Sequence, residues 1–189
     1  MDANPYAETV IGGDDLTAIS GPTRTQLRWL FVGLLITLLD FRLNNFNLLP
    51  DVLGFAIVFV VSLQLTHYSQ HFRRAAGFAI ALIIAFFLKF SDLNELHSVA
   101  WYVSQAGLTW TLMSGLAPHI SVTRGEEFAL FARKLAFVFA ASQIFALAFD
   151  LLPLDFALIA VAVAAVGVVC TVIVLVVVWK AGSATSQSL

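Results

Sequence analysis

Six apolar stretches, at about residues 26–42, 50–67, 73–90, 95–117, 128–150 and 154–179, follow one another with very little polar chain between them. At 1.5 Å of rise per residue, ~20 apolar residues in a helix cross the ~30 Å hydrocarbon core of a bilayer. The stretches therefore predict an all-α, polytopic integral membrane protein, with six transmembrane helices arranged as three hairpins. Composition agrees: 60% of the 189 residues are hydrophobic and 12% charged, against about 25% charged in an ordinary soluble domain. The first and third runs are short, so Arg24, Arg28 and Lys89 are expected to snorkel at the interface, whereas the sixth is long enough to tilt.

Local signals mark the boundaries. Residues 1–23 carry acids among Gly, Pro, Ser and Thr with no basic segment leading into an apolar core, so they read as a disordered tail and not as a signal peptide. The transmembrane domain is expected over 24–180, with a short tail over 181–189. Pro50 before Asp51, and Pro153 shortly before Asp155, place proline and an acid in a first helical turn. Asp92-x-x-Glu95 and Thr123-x-x-Glu126 have capping-box spacing, and Asn44, Asn45 and Asn47 predict a turn. A loop is expected over 118–127, including His119.

Charge sets the orientation. With six spans, one face of the membrane receives Arg24, Arg28, Arg73, Arg74, Arg124, Arg133, Lys134 and Lys180, and the other only Arg42 and Lys89. Basic residues favour the cytoplasmic side, so both termini are expected inside and the protein in the bacterial inner membrane. A net charge of −2 excludes a concentrated basic face for nucleic acid. The lone Cys170 excludes an intramolecular disulfide and paired thiolate ligands, and no cofactor is expected. The expected partners are the lipid bilayer and other membrane proteins or further copies of the chain.

The first hairpin, Leu49-Pro50-Asp51 with Gly54 three residues on, resembles a hairpin of small, uncharacterised bacterial polytopic membrane proteins. The opening Asn4-Pro5-Tyr6-Ala7 is similar to the tail that begins many bacterial membrane proteins, especially of planctomycete type. These resemblances imply a location and no activity. Phe46-x-Leu48-Leu49-Pro50 recurs as Phe149-x-Leu151-Leu152-Pro153, which chance and a duplicated hairpin explain equally well.

Function is less legible. The outer ends of the helices carry Asp40, Asp51, Glu95, Asp150 and Asp155, and helices four and five carry Gln105 and Gln143 near their middles; together these form a possible cation or solute site. The simpler alternative is that Asp51, Asp92, Glu95 and Asp155 cap helix starts while Asp40 and Asp150 face headgroup water. Asp40 and Asp150 sit at helix C-terminal ends, where the dipole opposes an acid, and so invite a functional explanation. His67 and His71 have helical i, i+4 spacing, but adjacent Arg73 and Arg74 and an expected turn between the two histidines argue against a metal. Gly107, Thr111 and Gly115 predict close packing of helix four. Glu126-Glu127 resembles the paired glutamates of intramembrane CAAX-type proteases, without the arginine and histidine that should follow, and Met113-Ser114-Gly115 resembles a rhomboid serine without its later histidine. The chain is thus expected to be non-enzymatic, acting through protein partners or self-association; the alternative is a cation or small-solute permease using the acidic hairpin ends. A permease requires polar groups facing a hollow bundle, and an interaction protein a closed one.

Overall fold

The computed structural model describes residues 21–38, 49–151 and 157–184. Among them it contains six helices and no strand: α1 (Arg24–Leu38), α2 (Leu49–Gln64), α3 (Gln70–Leu88), α4 (Asn94–Arg124), α5 (Glu126–Leu151) and α6 (Ala157–Ala184). Each helix packs on the next, and α1 packs on α6, so the bundle closes into a ring; α4 also touches α6 across it.

Three helices are long and apolar enough to cross a membrane: Gln70–Leu88, Glu126–Leu151 and, within α6, Val161–Ser183. Their side chains are sorted as lipid requires. In α5 the buried stripe is Ala129, Ala132, Leu135, Ala136, Phe139, Ser142 and Gln143, whereas Phe137, Ile144 and Phe145 are 61–64% exposed. Small residues inside and large apolar ones outside reverse the pattern of a water-soluble helix, because lipid tails solvate Phe and Ile while small residues let helices approach. In α3, Ala75, Ala76, Ala79 and Ala85 are buried together with Phe72, Leu82 and Phe86, while Ile84 and Phe87 are exposed.

Several boundaries differ from the sequence expectation. The loop expected over 118–127 is helix, because α4 passes through Pro118 to Arg124. Pro118 is exposed while Ala117 and Ile120 on either side are buried in the core, so packing holds the helix past the missing N–H. Back-bonds from Ser121 Oγ to the Pro118 carbonyl (2.8 Å) and from Thr123 Oγ1 to the His119 carbonyl (2.8 Å) fasten the last turn. Neither expected capping box forms: the residue before α4 is Leu93, and the joint before α5 is the single residue Gly125. The Gly125 N–H bonds the Ser121 carbonyl (3.1 Å) and its own carbonyl accepts from Ala129 (3.3 Å), so one residue ends α4 and begins α5. Its φ of +94° and ψ of 159° lie in a region open essentially to glycine.

The expected break between His67 and His71 is present. α2 ends at Gln64, and Ser69 caps α3 by accepting from the His71 N–H at 3.2 Å. α6 runs on to Ala184, beyond the expected start of a tail, with Ala181 buried and Leu27 Cβ 3.3 Å from where a Cβ on Gly182 would stand. Gly21 lies against His119, so the chain is already packed before α1 begins. Phe46 and Leu48 of the first Phe-x-Leu-Leu-Pro copy, Leu152 and Pro153 of the second, the Asn-rich turn and Arg42 lie outside the described residues, while Leu49 and Pro50 begin α2.

Gly107 and Gly115 pack as expected, but against rings. A Cβ on Gly107 would collide with the Phe78 ring, and one on Gly115 would come within 3.0 Å of Phe72, both on α3.

Candidate functional site

The two ends of the bundle differ. Arg124 Nη2, at the end of α4, donates to the Lys180 carbonyl (3.1 Å) and to Ser183 Oγ (3.0 Å), and the Lys180 ammonium lies 5.9 Å from the centre of the Phe128 ring. These contacts bring the ends of α4 and α6 and the start of α5 together at a basic end, where α1 also begins. The half of the bundle next to it is solid: Leu27, Leu30, Phe72, Met113, Leu116, Ile120, Val177 and Val178 are at most 1% exposed and form one cluster.

The opposite half is hollow. A cavity of about 510 Å³ is lined by residues of α1, α2, α4, α5 and α6, among them Thr37, Phe55, Trp101, Tyr102, Gln105, Thr109, Phe139, Ser142, Gln143, Asp150 and Thr171. The lining residues sit in the last turns of α1, the early turns of α2 and α4, and the later half of α5. A second cavity, of about 390 Å³, shares Trp101, Tyr102 and Asp150 and adds Asp51, Lys89, His97 and Ser98. The two spaces follow one another toward the end of the bundle that carries Asp150.

Local sequence explains the placement. Tyr102, Gln105 and Thr109 lie three and four residues apart, and Gln143, Ala146 and Asp150 follow the same rule, so each set occupies one helical face. α4, at 31 residues, is long enough to cross a membrane. It is not among the three strongly apolar helices because polar residues lower its mean hydropathy; of these, Ser104 and Thr111 are buried, and Gln105 and Thr109 face the cavity.

Hydrogen bonding divides the polar lining into two kinds. Ser142 Oγ donates to the Phe139 carbonyl (2.7 Å) and Thr171 Oγ1 to the Gly167 carbonyl (2.8 Å), so these hydroxyls are committed to their own helices. The amides of Gln105 and Gln143 make no hydrogen bond among the described residues, although Gln143 is only 9% exposed. A Cβ on Gly167 would stand 3.6 Å from Gln143 Nε2, so the missing side chain on α6 leaves the space this amide faces.

One wall is braced by aromatic and imidazole contacts. His97 Nδ1 donates to the Ala85 carbonyl at 2.7 Å, tying the start of α4 to α3. Its ring stands 5.9 Å from Trp101, which meets Phe55 of α2 edge-on at 5.8 Å.

Of the residues singled out from sequence, Gln105, Gln143 and Asp150 meet in the central cavity, and Asp51 joins Asp150 at the second. Glu95 is exposed in the first turn of α4 and lines neither. Asp40 and Asp155 lie outside the described residues. Trp101, Tyr102, Phe55 and Phe139 were not anticipated; the helical spacing of Tyr102 with Gln105 and Thr109 was the signal available for the first face. At the basic end, His119 is part of α4 and lies against Gly21. Among the described residues, no three His, Cys, Asp or Glu side chains are placed to share a metal ion.

No protein-family model matches the chain, and neither a curated protein nor a solved structure is significantly similar to it.

Proposed function

We propose that this chain is a small-solute-binding membrane protein of the permease type, with its binding site in the hollow half of the bundle. The observation that carries this reading is Gln143, a residue only 9% exposed whose side chain lines the cavity and whose amide lacks a hydrogen-bond partner among the described residues. An amide that opens onto a cavity without a protein hydrogen bond is free to bind a polar occupant. The volume of the cavity falls within the ~300–1,000 Å³ usual for small-molecule sites. A protein acting only through partners has no need of such a space, and the hollow interior ranks solute binding ahead of that role.

All six helices are read as spans, with both termini cytoplasmic in a bacterial inner membrane. The eight basic residues favouring one face support the orientation. α1 and α2 are short, but each occupies a place in the closed ring, and Arg24 and Arg28 are exposed where they can reach the interface.

The test is thermal melting of the purified protein with a panel of small amines, amides, alcohols, sugars and carboxylates. A solute that binds the folded state raises the melting temperature in proportion to its saturation. At least one class should do so in the wild type and fail in Gly167→Leu, whose side chain fills the space before Gln143. A panel without effect would overturn the reading.

A further inference from the structure

We propose that the central cavity selects an organic monocation, such as a substituted amine or quaternary ammonium compound; this rests on the solute-binding reading above. Among the described residues, Asp150 is the only carboxylate lining the central cavity, and no Lys, Arg or His lines it with Asp150. The site thus carries one negative charge, at the end of α5 where the helix dipole opposes an acid. Asp150 is exposed in the last turn of α5, so its carboxylate is accessible to a cation entering the cavity it lines.

The rest of the lining says what kind of cation. Phe55, Trp101 and Phe139 line the same space, with Trp101 and Phe55 held edge-on to each other. Aromatic faces attract cations through the ring quadrupole, and they do so best for weakly hydrated ones such as alkylammonium groups. A bare metal ion would need several oxygen ligands at 2.0–2.6 Å, whereas the space here has one carboxylate and room for a molecule. The Gln143 amide supplies a hydrogen-bonding group for a polar substituent. Lys89 and His97 line the second cavity, which Asp150 shares, but not the central one.

Titration calorimetry of the full chain in detergent, with three ligands that share a benzyl ring, separates the possibilities. Benzyltrimethylammonium should bind at least tenfold more tightly than benzyl alcohol, and phenylacetate should not bind. Asp150→Asn should weaken the cation at least tenfold and leave benzyl alcohol unchanged. Because the three-ligand comparison is made on the wild type, it stands even if that variant fails to fold. If benzyl alcohol or phenylacetate binds as well as the cation, the charge preference is wrong while the solute site survives. If none of the three binds but another solute in the melting panel stabilises the protein, the monocation is again overturned and the cavity reading stands. If nothing binds and nothing stabilises, both fall.

Discussion

Gly33 of α1 and Gly54 of α2 face each other backbone to backbone: a Cβ on Gly54 would stand 2.8 Å from the Gly33 carbonyl oxygen, and one on Gly33 would stand 3.1 Å from that of Gly54. Backbone cannot rotate out of the way as a side chain can. Gly54→Ala should therefore destabilise the bundle by about 1–3 kcal/mol, the usual cost of overpacking. Gly77→Ala, on an exposed helical position with nothing within 4 Å of the added carbon, should stabilise by about 0.5–1 kcal/mol. Chemical denaturation of the two variants in parallel checks the contrast, which would be lost if both shifted alike.

Gly125 isolates a different kind of constraint. No atom lies within 4 Å of a Cβ placed there, yet its φ is +94°. Gly125→Ala should cost about 1–3 kcal/mol through backbone strain alone. A melting temperature equal to wild type would mean that the joint between α4 and α5 relaxes freely.

The 2.7 Å bond from His97 Nδ1 to the Ala85 carbonyl distinguishes two isosteres. Asparagine places an N–H near the position of Nδ1 and glutamine does not. His97→Asn should hold near wild-type stability, while His97→Gln should lose about 1 kcal/mol, the net worth of one hydrogen bond. Equal losses in both variants would show that the imidazole acts through its ring contact with Trp101.

Topology is checked independently of stability. A reporter fused after Leu189 should be active only on the cytoplasmic side, and one inserted at Asn45 only on the other, given the eight-to-two basic asymmetry. A C-terminal fusion active outside would contradict six spans.

The six helices were legible because apolar runs of membrane length carry their own signature, and the break after His67 followed from local chemistry. The continuation of α4 through Pro118 was not, since it depends on Ala117 and Ile120 finding buried neighbours on other helices. Gly107 and Gly115 are tightly packed as their spacing predicts, but against the Phe78 and Phe72 rings, and backbone meets backbone at Gly33 and Gly54 instead; spacing shows that small residues share a face but not whether a ring or a backbone fills it. Gln105, Gln143 and Asp150 could be named from sequence as polar groups in apolar helices. Their meeting in one cavity depends on how α4, α5 and α6 pack, and the aromatic wall of Phe55 and Trp101 is contributed by helices far apart in the chain.

The central claim is that polar solutes reach the interior beside Gln143. Its most direct measurement is the labelling of single cysteines by a charged, membrane-impermeant thiol reagent, in a Cys170→Ala background in membranes. Cysteine at Gln143 and at Gln105 should react, while cysteine at Met113 in the solid half and at Phe145 on the lipid face should not. If cysteine at Gln143 stays unreactive in the folded protein but reacts once it is denatured, the cavity is closed to solutes and the account is contradicted.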